Sequence, residues 1–113
     1  MKRTIMRAVV VFLIALPLAL LAFAATGEVT AGKTVYTNRC KMCHGADGNG
    51  NPAMAKMLKV EFHALESDYV QEKKDDELKQ TITKGKGKMA AVRGLTEEQL
   101  NDVISYIRSL PKK

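Results

Sequence analysis

The sequence predicts an all-α fold of three main helices joined by short helical turns. Three observations support this. No stretch after residue 24 keeps strict apolar–polar alternation, so no strand is expected. Three segments carry apolar residues at helical spacing. The last of them has both a start signal, Thr96, and a stop signal, Pro111.

The first helix is expected over 29–40, where Val29, Gly32, Val35 and Tyr36 share one face. A glycine inside a helix costs stability, so Gly32 points to a place where another helix approaches closely. Residues 45–51 hold three glycines, an aspartate and two asparagines before Pro52, and form a turning loop. Met54, Met57 and Leu58 suggest a short helix, and the charged stretch 61–77 a solvated loop with helix turns. The second main helix is expected over 75–84, with Asp75 or Asp76 as N-cap and acidic residues in its first turn, where the helix dipole favours them. Leu78 and Ile82 face inward, and Gly85 can take the left-handed stop conformation. In the third helix Thr96 and Gln99 form a capping box, and Leu95 and Leu100 a hydrophobic staple. Leu100, Val103, Ile104, Ile107 and Leu110 make one stripe.

Residues 1–24 stand apart. Lys2, Arg3 and Arg7 precede an apolar run over 8–23, and Ala22-Phe23-Ala24 offers the small-x-small pattern of a cleavage site. This reads as a secretory signal peptide cut after Ala24, leaving 25–113 as a single domain outside the cytoplasm. An uncleaved anchor is the alternative, but the run only just reaches the roughly 20 residues needed to span a bilayer, and Pro17 interrupts it. The chain has 18 basic and 12 acidic residues; three of the basic ones and none of the acidic ones lie in the leader, so the net charge falls from +6 to +3. A mildly basic domain suits an acidic protein partner and is far from a nucleic-acid signature.

A domain of about 90 residues gains thin stability from one core. This one has Tyr36, Phe62, Tyr69 and Tyr106 but no Trp, so it needs a staple or a cofactor. Its two cysteines are Cys40 and Cys43, and a disulfide between them would close a tiny loop and stabilise little. With His44 they form Cys-x-x-Cys-His, the attachment signature of c-type haem. Two residues wound in a helical turn separate the sulfurs by about the distance between the two porphyrin vinyls. The following imidazole is then a good iron ligand. A thioredoxin-like redox pair needs strands, and a structural zinc site needs about four ligands, with only His63 left over.

The ligand opposite His44 decides the chemistry. The candidates are Met42, Met54, Met57, Met89 and His63. Met42 lies inside the motif and cannot reach the other face. Met54 and Met57 have the helical spacing of core packing. Met89 ends a flexible apron, 85–89, that can wrap around a haem, and a thioether there raises the reduction potential relative to a second imidazole. His63 remains the alternative, its other reading being a solvent-exposed side chain.

These residues resemble the class I c-type cytochromes of the small bacterial kind, over the whole of 25–113. Gly32 and Tyr36 resemble the small and aromatic residues that pack on the last helix, and Val103 and Tyr106 resemble their partners. Cys40 to Gly45 matches the attachment segment, and Lys84 to Met89 resembles the segment that delivers the axial Met. The resemblance implies the small cytochrome c fold wrapped around one covalent haem c. It implies a periplasmic, monomeric, non-enzymatic carrier that shuttles single electrons between redox proteins, with transient contact to membrane complexes. It also implies that a carbonyl near Pro52 accepts the second imidazole proton of His44. The chain departs from the family where Ala90 follows Met89, because the proline that usually helps fix the ligand loop is missing. That departure is the one support for the competing function, an open iron that binds gases or peroxide. No His, Arg or acid clusters near Met89 as a peroxidase requires.

An apolar pocket is expected from Val35, Met57, Leu58, Leu78, Ile82, Val92, Leu95, Leu100 and Ile104. Lys41, Lys84, Lys86 and Lys88 either ring an exposed haem edge and steer an acidic docking surface, or form a solvated face.

Overall fold

The computed structural model describes residues 27–113, so the expected signal peptide over 1–24 lies outside the described residues. Six helices follow in order: α1 (Val29–Arg39), α2 (Lys41–His44), α3 (Pro52–Leu58), α4 (Asp68–Gln71), α5 (Asp75–Lys84) and α6 (Glu97–Ser109). The all-α expectation holds. Among the described residues the sole β-type pairing is an isolated bridge between Lys86 and Met89.

The fold closes by packing its first helix on its last. A Cβ placed on Gly32 would lie 1.8 Å from the Asp102 carbonyl oxygen, so only glycine lets the two backbones meet here. Beside that contact the rings of Tyr36 and Tyr106 lie 5.1 Å apart, and Val103 is fully buried. The start of α1 has no cap of its own. Asp102 of α6 supplies one, accepting the Glu28 N–H at 2.7 Å and so satisfying a free amide of the first turn. Val29 was expected on the packed face but is half exposed.

Helix α6 begins as its sequence predicts. Thr96 Oγ1 accepts the Gln99 N–H, and the Gln99 side chain accepts the Thr96 N–H in return. Thr96→Ala removes one partner of this box and is expected to cost about 1 kcal/mol, read as a lower denaturation midpoint at unchanged slope. Helix α5 spans 75–84 as expected, but its N-cap is not Asp75 or Asp76. Lys74 is the N-cap, and the Glu77 carboxylate reaches back to its N–H at 3.1 Å, leaving Asp75 and Asp76 in the first turn. Gly85 ends α5 at φ 76 and ψ 169, an extended positive-φ conformation open essentially to glycine alone, rather than the left-handed one.

The stretch 61–77 is more than a solvated loop. Leu65, Glu66 and Val70 are buried, and α4 forms within it. Arg108 fastens the segment to α6, donating to the Gln71 carbonyl at 2.7 Å and to Asp75 Oδ1 at 2.8 Å. The residues between α3 and α5 thereby become one wall of the interior.

Candidate haem site

The attachment segment lies at the junction of α1 and α2. Cys40 ends the first helix and the chain rewinds at once. The His44 and Cys43 amides both donate to the Cys40 carbonyl, at 3.0 and 3.2 Å. The Cys-x-x-Cys-His stretch is thus the helical turn that its spacing required. Both thiols are free and partly buried. Two contacts hold the turn. The Tyr36 hydroxyl donates to the Gly45 carbonyl at 2.6 Å, and Asn51 Nδ2 donates to the Met42 carbonyl at 3.0 Å while Asn51 Oδ1 caps α3. Burial pushes the Tyr36 phenol far above its ordinary range, so it stays a protonated donor.

Beside this turn opens a cavity of about 710 Å³, within the range that takes a cofactor-sized ligand. Cys40, Cys43, His44 and Met89 all line it. So do Met54 and His63, whereas Met42 and Met57 are 73% and 65% exposed and do not. The ring of His63 is exposed and stacks on Tyr69 with centroids 3.9 Å apart. Met89 is partly buried and packs on the core.

Of the expected apolar lining, Leu58, Leu78, Ile82 and Val92 face the cavity. Val35, Leu100 and Ile104 belong instead to the core beneath it, Leu95 packs on that core, and Met57 points to solvent. The rest of the wall was missed: Phe62, Leu65, Tyr69 and Val70 come from 61–77, and Ile107 from α6. Phe62 presents itself edge-on to His44, with centroids 5.6 Å apart. The signal available was that Phe62, Leu65, Tyr69 and Val70 are apolar bodies in a largely charged run.

The donors present suit a haem. Burial lowers the pKa of His44, so its imidazole stays neutral with a lone pair to offer a metal. Its Nδ1 is buried without any hydrogen-bond partner, so the carbonyl near Pro52 does not take that proton as expected. Pro52 is held instead at the first position of α3, exposed, with Asn51 as cap. An orphaned buried imidazole nitrogen costs free energy until it gains a hydrogen bond or a metal. Burial also pushes the Cys40 thiol up to about 11, so it is a neutral S–H at physiological pH. Among the described residues no cluster of three or more His, Cys, Asp or Glu side chains offers a rival metal site.

Comparison with known proteins agrees with this geometry. The family model described as Cytochrome c matches residues 29–111. The chain is 36% identical over 96 residues to a cytochrome c6 of Thermosynechococcus vestitus, covering 83% of this chain and 80% of that one. It is 31% identical over 83 residues to the cbb3-type cytochrome c oxidase subunit CcoP of Rubrivivax gelatinosus. That match covers 70% of this chain but only 25% of the longer subunit. Among solved structures, the KustC0563 c-type cytochrome is similar with a TM-score of 0.60 at 25% identity, over 72% of this chain and 98% of that one.

Proposed function

The chain belongs to the cytochrome c family, as a class I c-type cytochrome that carries electrons on covalent haem c, and we propose that it works in the periplasm with His44 and Met89 as the two axial ligands. The observation that carries this reading is a single cavity lined by both cysteines, His44 and Met89. Bound there, the haem iron supplies a one-electron couple.

The residues divide the remaining work. Cys40 and Cys43 anchor the haem through their thioethers. His44 offers a neutral imidazole from one side, and Met89 a thioether from the loop after α5. Leu78, Ile82, Val70 and Phe62 exclude water, which keeps the reorganisation on electron transfer small. Two permanent ligands leave no open position for a substrate, so the reading is a carrier and not an enzyme.

The charge pattern supports an acidic partner. Lys41, Lys84, Lys86 and Lys88 are exposed, and none of them is in an ion pair among the described residues. Lys86 and Lys88 stand at the cavity itself. The ion pairs lie elsewhere, at Lys79–Glu97, Arg108–Asp75, Lys112–Asp68 and Lys113–Asp47. The domain then docks as a monomer on redox proteins with acidic faces, and its second-order electron-transfer rates fall as salt rises. The basic, apolar leader supports export to the periplasm.

Ligation is tested by spectroscopy of the holoprotein. The oxidised protein is expected to be low-spin with a thioether-to-iron charge-transfer band. Met89→Ala removes that band and lowers the midpoint potential by more than about 59 mV, a tenfold change for one electron. His63→Ala keeps the band. A parent that is low-spin without that band, and that His63→Ala but not Met89→Ala turns high-spin, would assign the site to His63.

A further inference from the structure

The loop that carries Met89 has alanine where a stiffening proline was expected, so its closure must be held by other contacts. Lys86 and Met89 exchange two backbone hydrogen bonds, at 3.0 and 2.9 Å, but that pair lies within the loop and moves with it. The Val92 N–H donates to the Ile82 carbonyl at 2.8 Å, which ties the loop back to its own helix, α5. Neither bond refers the loop to the opposite side of the cavity, where the attachment turn lies.

One bond does. Arg39 Nη2 donates to the Arg93 carbonyl at 2.6 Å, across 54 residues of sequence. Among the described residues it is the only hydrogen bond between 85–94 and the segment formed by α1 and α2. Arg39 also lines the cavity and directly precedes Cys40. Its guanidinium is always charged, so the bond is charge-assisted at any working pH.

We propose that Arg39 is a positioning residue for the distal ligand: clipped to the Arg93 carbonyl, it holds the Met89 loop closed across the haem pocket in place of the missing proline. The proposal rests on Met89 being that ligand. It adds that the ligand's hold depends on a side chain next to the covalent attachment point. Loop and haem are then referred to one short piece of backbone, and opening the loop breaks this bond. Because Arg39 is exposed, water competes for the guanidinium and the effect is moderate.

The test uses the oxidised holoprotein and imidazole as an external ligand, which binds only when the thioether leaves. Arg39→Ala is expected to show the thioether band before imidazole is added and to bind imidazole about three to ten times more tightly than the parent. Its melting temperature changes little, which a merely structural role would not give. Arg39→Lys is expected to fall between the two, keeping the charge but losing the planar fork. Parent-like imidazole affinity in Arg39→Ala overturns the clip. So does a rise that high salt alone reproduces in the parent, which marks a field effect. A Met89→Ala protein that keeps the thioether band overturns the ligand assignment instead, so the two failures are distinguishable.

Discussion

Serine at both Cys40 and Cys43 is expected to give a chain that keeps no haem on a denaturing gel and no longer melts cooperatively. The first result follows from the loss of both thioethers. The second follows from the volume of the cavity. An empty cavity of about 710 Å³ leaves its apolar wall without packing partners on one side. The haem-free chain therefore cannot keep this shape, and its wall residues Leu65, Val70, Leu78, Ile82 and Ile107, all part of the core, must collapse or hydrate. Cys40→Ser alone leaves one thioether and is expected to retain haem with a lowered melting temperature. The measurements are haem-stained gels and thermal unfolding by far-ultraviolet circular dichroism. A double variant that melts like the parent would show that the haem is not part of the core.

The second large effect is expected at Gly32. Alanine there gains about 1 kcal/mol of helix propensity. Against this, its Cβ would sit 1.8 Å from a backbone oxygen and 2.9 Å from the Tyr106 Cβ. Neither neighbour is a flexible side-chain end, so α1 and α6 must separate. Separation loosens the Tyr36–Tyr106 contact, the burial of Val103 and the Asp102 cap on Glu28 together. The net cost expected for Gly32→Ala is about 3–5 kcal/mol, at the upper end for one substitution. Denaturant unfolding of the holoprotein measures it. Gly87→Ala is the control. Gly87, unlike the helical Gly32, has positive φ, and nothing lies near its Cβ, so that variant reports backbone strain without a clash.

How much of this was legible in the sequence depends on the range of the signal. The box at Thr96 and the turn of Cys-x-x-Cys-His are local, and each is set by residues within five positions. Gly32 was legible too, because a glycine in a helical pattern demands a reason and close approach is a common one. The wall over 61–77 was not. Its apolar residues are scattered among charges and only 68–71 of it is helical, so what orders them is distant: Leu65 N–H bonds the Gly48 carbonyl, and Arg108 reaches back from α6. Met57 was misplaced because helical spacing fixes which residues share a face but not which face turns inward. Lys74 was missed as a cap because Glu77, acting from inside the helix, satisfies the end that Lys74 cannot.

The pairing of α1 with α6 also sets an order of events. Its contacts join residues about 70 positions apart, Glu28 with Asp102 and Tyr36 with Tyr106. An isolated helix of 11 residues is marginal in water, so α1 has little persistence until α6 exists. Closing so long a loop is also slow compared with local turns. During synthesis, Cys40, Cys43 and His44 therefore emerge before α6 and stay in an open chain until α6 follows. Pairing α1 with α6 instead of a nearer helix keeps the thiols open to a haem through the whole interval between the two, and encloses them only when α6 docks.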